Sequence, residues 1–89
     1  MDIETVVKTK YVDEMTQQEL LSAIDYHEGR LKGAIEIQEV VSGYLKKMTP
    51  NDEMTEIYFD LYTRICDEIR DINISGIECI QEYTKRYLH

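Results

Sequence analysis

His27, Cys66, Cys79 and a series of carboxylates are the residues of this chain whose chemistry could amount to a function. An imidazole serves as a metal ligand or general base when a second donor stands at suitable spacing. His27 has none: Asp25 and Glu28 are close in sequence but project in other directions, and His89 is the last residue. His27 falls instead among apolar residues at helical spacing, as does Gln38. A buried polar group there costs a few kcal/mol unless it finds a hydrogen-bond partner, roughly 1–3 by mutational measures. Cys66 and Cys79 form no C-x-x-C and have no second pair, which argues against both a zinc site and a disulfide framework. Two reduced, packed thiols are expected. No Gly-rich phosphate loop, G-x-S-x-G, H-E-x-x-H or Ser/His/Asp set is present.

The carboxylates remain. At about 100° per residue, Glu53, Glu56, Asp60, Asp67 and Asp71 fall within about 60° of one another on a helix, joined by Glu78 if that helix continues. Arg64 is the one cation nearby. Like charges four apart, as in Glu56/Asp60 and Asp67/Asp71, weaken a helix by roughly 0.2–0.5 kcal/mol, so the line gives no local stability. A solvated face is the ordinary reading of such a line. The functional reading is a docking surface for a basic groove, including one that normally holds nucleic acid, with opposed fields speeding encounter and making it salt-sensitive.

A second acidic pattern, Glu36-Ile37-Gln38-Glu39 followed by Glu68-Ile69-Arg70-Asp71, resembles the E-x-x-E and E-x-x-D pairs of the MazG-like all-α nucleotide pyrophosphohydrolases. The resemblance is confined to these two short segments. It implies acids that hold magnesium for attack on a nucleoside triphosphate. Such a shell needs its oxygens to converge. With Leu20 as reference, Glu36 points about 160° away and Glu39 about 100° away, and a hairpin turning near Pro50 leaves the two pairs about 9 Å out of axial register. The leading expectation is therefore a protein without an enzymatic activity or a cofactor, and the magnesium-dependent nucleotide hydrolase is the alternative.

The elements that must position these residues are helices. The chain has 89 residues, one Pro and four Gly, with 43% hydrophobic and 31% charged residues, which suits one small domain rich in long helices. A chain this short buries only about 60% of its unfolded surface, so self-association would help. Eighteen acids against ten bases give a net charge of -8, disfavouring direct contact with nucleic acid or an anionic membrane and favouring a basic protein partner. No apolar run spans a membrane, and Met1-Asp2-Ile3-Glu4 lacks the character of a secretory signal, so a soluble, cytoplasmic protein is expected.

Residues 1–15 lack a helical period and are rich in β-branched types around Val6-Val7, which suggests a flexible or short extended arm preceding a single helical domain over 16–89. Thr16-Gln17-Gln18-Glu19 is a capping box, and the helix it opens runs to about Lys47. Thr49-Pro50 reads as the cap and first position of a second helix carrying Met54, Ile57, Tyr58, Leu61, Ile65, Ile69 and Ile72, antiparallel to the first. At Ser75-Gly76-Ile77-Glu78 another capping box favours a break and a third, C-terminal helix over a kinked continuation.

The first long helix has two apolar stripes. Leu20, Ile24, Leu31, Ile35 and Leu45 should pack on the second helix. Tyr26, Gly33, Ile37, Val40 and Tyr44, with Gly29 beside them, lie on roughly the opposite side, with more surface than the remaining elements can cover over a helix about 45 Å long. Gly29-x-x-x-Gly33 would admit a close backbone. The fold expected is an all-α, antiparallel helical hairpin that pairs with another copy into a homodimeric bundle. The function expected is a small acidic regulator or inhibitor that sequesters or blocks a basic protein, using the tyrosine-rich stripe or the acidic line. Binders of this type occur among inhibitors and regulators, including those of phages and mobile elements.

Overall fold

Two long helices are set against each other by the short connection between them. The computed structural model describes residues 2–88; Met1 and His89 lie outside the described residues. In chain order the elements are α1 (Ile3–Thr9), a 3₁₀ turn (Val12–Glu14), α2 (Gln17–Lys47) and α3 (Glu53–Tyr87). Among the described residues there is no strand, and no helix is long and apolar enough to cross a membrane.

The capping box at Thr16 forms in full: Glu19 N–H donates to the Thr16 hydroxyl (3.2 Å) and Thr16 N–H donates to the Glu19 carboxylate (2.9 Å). These bonds satisfy two of the donors that a helix start leaves unpaired. Thr49 does not cap α3. Its carbonyl accepts from Asp52 N–H (3.1 Å), closing a turn with Pro50 second, and Asp52 takes over as cap by accepting from Met54 N–H (2.9 Å). The hinge therefore lies slightly later in the chain than Pro50. Gln38 accordingly meets Cys66, and His27 lies against Gly76.

α3 does not break at Ser75-Gly76; it runs unbroken through both, so there is no separate C-terminal helix. No described residue has positive φ, Gly76 included. A break would forfeit the packing of Cys79 and Tyr83 against the open end of the hairpin. One helical glycine costs only about 1 kcal/mol. Inward residues of α3 alternate at spacings of four and three: Tyr58, Tyr62, Ile65, Ile69, Ile72, Gly76, Cys79, Tyr83 and Arg86 are all buried or half-buried. That is the 3.5-residue repeat of a left-handed helix pair. Facing them on α2 are Leu20, Ala23, His27, Ala34 and Val41.

The N-terminal segment is not an extended arm. Asp2 caps α1 by accepting from Thr5 N–H (2.9 Å), and Ile3, Val6 and Val7 share one helix face. Val6 is buried in one cluster with Met15, Leu20, Ala23 and Cys79. Burial of these side chains, at about 1.5–3 kcal/mol for a full valine, outweighs the weak preference of β-branched residues for strands. The cluster places α1 across the open end of the hairpin. Beyond it the molecule is one helix layer deep, with extents of 54 × 27 × 15 Å.

Candidate functional site

The hairpin presents two broad faces. α1 occupies the open end of the first, where Val7, Lys8 and Tyr11 stand by Tyr26, Arg30, Ser75 and Glu78. Arg30 lies over the Tyr26 ring (5.6 Å) and reaches Glu68 on α3 (3.6 Å). Tyr26, Arg30, Gly33, Ile37, Val40 and Tyr44 follow one another at spacings of four and three on this side of α2. Ile57, Leu61, Arg64, Glu68, Asp71 and Ser75 do the same on α3. The two surfaces singled out in the sequence, the tyrosine-rich stripe of α2 and the acidic line of α3, thus border the same face. Sequence reading placed them on separate helices and had no means of bringing them together.

α1 covers only the Tyr26 end. Toward the hinge, Ile37 (56% exposed), Val40 (58%), Tyr44 (52%) and Ile57 (58%) are open, and Tyr44 stacks on Tyr58 with ring centroids 5.8 Å apart. No backbone approaches Gly29 or Gly33; a Cβ built at either meets nothing within 4 Å. Any close approach these glycines permit is therefore not used within the chain.

Glu53, Glu56, Asp60, Asp67 and Asp71 are all exposed. Their charge is less isolated than the sequence suggested, because Arg64 is not the one cation near them. Asp60 pairs with Arg64 (3.0 Å), and Arg70 reaches both Asp67 (3.4 Å) and Asp71 (3.9 Å). These exposed pairs are each worth at most about 1 kcal/mol. Between residues 53 and 78 seven acids still face two arginines, so the local field remains negative.

The carboxylate pairs of the MazG-like resemblance do not converge. Glu36 and Glu39 are exposed on α2, while Glu68 turns to Arg30. Among the described residues no three His, Cys, Asp or Glu side chains gather as a metal site requires.

His27 is 7% exposed, inside the helix pair, with its ring against Tyr26 (5.5 Å between centroids). Its Nδ1 is buried without a hydrogen-bond partner. Burial, with a smaller contribution from the Arg30 charge, holds its pKa below the usual imidazole value, so the neutral ring is favoured. Gln38 does find a partner, donating to the Cys66 sulfur at 3.3 Å. Cys66 and Cys79 are both free thiols. Burial, and then the neighbouring Glu78, push the Cys79 thiol upward, as befits a packed thiol rather than a nucleophile.

Sequence reading missed Arg86. Its guanidinium donates to the carbonyls of Val12 (3.2 Å), Asp13 (2.8 Å) and Met15, and its Nε to Glu82 (2.8 Å), pinning the 3₁₀ turn to the end of α3. Lys10 likewise bonds the capping-box carboxylate of Glu19 (2.9 Å). The bonds of Arg86 to the turn join residues at opposite ends of the chain, so no local pattern announces them. Compared with known proteins, the chain matches no family model, and no curated protein or solved structure shows a detectable likeness to it.

Proposed function

We propose that this chain is a non-enzymatic binding protein of the cytoplasm whose acidic, tyrosine-bearing face captures a basic protein and blocks the groove with which that protein holds nucleic acid. The observation that carries this reading is the row Ile37, Val40 and Tyr44 with Ile57, left open by α1 and bordered by the acids of α3. Aromatic and aliphatic anchors supply affinity once water is excluded, while the charged border selects sign and speeds encounter. Glycines at 29 and 33 leave room beside the anchors for a partner's backbone. Pairing two copies through this same face would set two acidic lines opposite each other, which disfavours it for self-association.

The test is capture of a partner from the native host's extract by the wild-type chain and by a variant with Asp60, Asp67 and Asp71 changed to Asn. One basic protein should be retained at low salt, released as salt rises, and lost with the triple variant or with Tyr44→Ala. That protein should also lose its hold on nucleic acid when the wild-type chain is added. Capture unchanged in both variants refutes the assignment of this face.

A further inference from the structure

We propose that the opposite face of the hairpin is covered by a second copy of this chain, giving a four-helix bundle. This goes beyond the capture of a basic partner and does not depend on it, since the two use different sides of the molecule. The opposite face carries a groove of about 270 Å³ between α2 and α3, with Ile24, Leu31, Ile77 and Ile80 among its walls. Leu21 and Ile35 extend it along α2 by helical spacing, and half-buried Ile69 extends it along α3. Ile77 and Ile80 are about half exposed, at 51% and 49%. Its polar walls are His27, Glu28 and Asn73, and the acids of α3 border the other side.

The exposed area of the whole molecule supports a second copy as the occupant. The chain exposes 6564 Å², whereas a folded monomer of 10.5 kDa should expose ~5,400 Å². The excess, ~1,100 Å², is close to the ~800 Å² that each partner loses in a stable interface. The radius of gyration is 17.0 Å, against ~12 Å for a compact chain of this length. Both differences arise because the hairpin is a slab one helix deep, and a helical domain needs a second layer against its apolar side. Among the described residues no element is left to provide that layer, because Arg86 and Lys10 tie the N-terminal segment to the open end and α1 lies by Tyr26 and Arg30 on the acidic face. A second copy supplies an apolar face of the same kind. It also keeps both acidic lines of α3 outward, so that two chains of charge -8 meet away from them. The assembly then displays two capture surfaces, on opposite sides.

Sedimentation equilibrium at roughly 1–200 µM tests this, because a dimer responds to concentration by mass action. The wild-type chain should reach twice 10.5 kDa. Ile77→Lys combined with Ile35→Lys should weaken the dimer at least ~100-fold, since a charge would be buried without a partner. Both positions are open in the single chain, so helicity by circular dichroism should persist. Val40→Lys, on the acidic face, should leave the dimer intact. A wild-type chain that stays monomeric throughout overturns the proposal. So does a dimer lost with Val40→Lys and untouched by the substitutions at Ile35 and Ile77. If the doubly substituted chain fails to fold, Ile77→Lys alone takes its place: a dimer weakened by it and kept by Val40→Lys supports this face, and the reverse overturns it.

Discussion

Replacing Gly76 by Ala probes the most consequential local feature of the fold, the continuity of α3. Gly76 has ordinary helical backbone, since no described glycine has positive φ, and it is half-buried against His27. A Cβ there would lie 3.6 Å from the His27 Cβ, an ordinary van der Waals contact that requires nothing to move. The helix gains about 1 kcal/mol, the difference between Gly and Ala in a helix interior. Part of a methyl group is also withdrawn from water, adding a few tenths of the ~0.8 kcal/mol that full burial of one carbon gives. Stability should therefore rise by about 1–1.5 kcal/mol, or at least ~4 °C in Tm for a domain of this size. Urea and thermal melts followed by far-UV circular dichroism measure it. Protein concentration must be held fixed, because self-association would itself move the midpoint. Gly29→Ala is the companion measurement: its Cβ meets nothing within 4 Å, and it should gain about 1 kcal/mol from helix preference alone. A gain at Gly29 with a loss of stability or helicity at Gly76 would refute the continuous helix. It would restore the break that the Ser75-Gly76-Ile77-Glu78 capping box suggests.

Four further outcomes are expected. Arg86→Met keeps the side-chain bulk but removes the bonds to the carbonyls of Val12, Asp13 and Met15; it should lower the denaturation midpoint, with faster amide exchange in α1, and unchanged exchange there would argue against the clamp. The His27 pKa is lower in the folded chain than its ordinary 6.5, so the unfolded chain binds that proton first. Stability should fall as pH drops below about 6.5 and continue to fall until the folded value is passed; His27→Gln should flatten that slope in denaturation midpoints, and an identical slope in both proteins would refute the assignment. A thiol reagent should modify half-buried Cys66 before buried Cys79, whose labelling should wait on opening of the α1 cluster; equal rates would contradict the packing. Gly33→Ala should leave the fold at least as stable yet weaken partner capture, and undiminished capture would remove Gly33 from the binding face.

Much of the hairpin was legible because its signals are local. The capping box at Thr16, the helix to Lys47 and the antiparallel return are each determined by residues a few positions apart. Thr49-Pro50 placed the cap of the second helix three residues early, since Asp52 is the cap, and two further local signals misled. The β-branched run around Val6-Val7 suggested extension, and the capping box at Ser75 suggested a break. Both were overridden by burial against distant residues, Val6 with Leu20 and Cys79, and Gly76 with His27. The candidate site was legible only in halves. Tyr26 through Tyr44 and Glu53 through Asp71 each show a helical period, but which sides of the two helices align depends on how they are rotated against each other.

By itself, then, the amino-acid order determined α2, the antiparallel return of the helix after it and the sign of their surface charge, because capping bonds, turn chemistry and periodicity act over one or two helical turns. Tertiary structure alone decided that α1 is a helix, that Arg86 secures it, and that the tyrosines and acids share a face while Ile77 and Ile80 line the other. Those outcomes rest on contacts between residues as many as 74 positions apart, and their free energy exists only once the helices have been packed together.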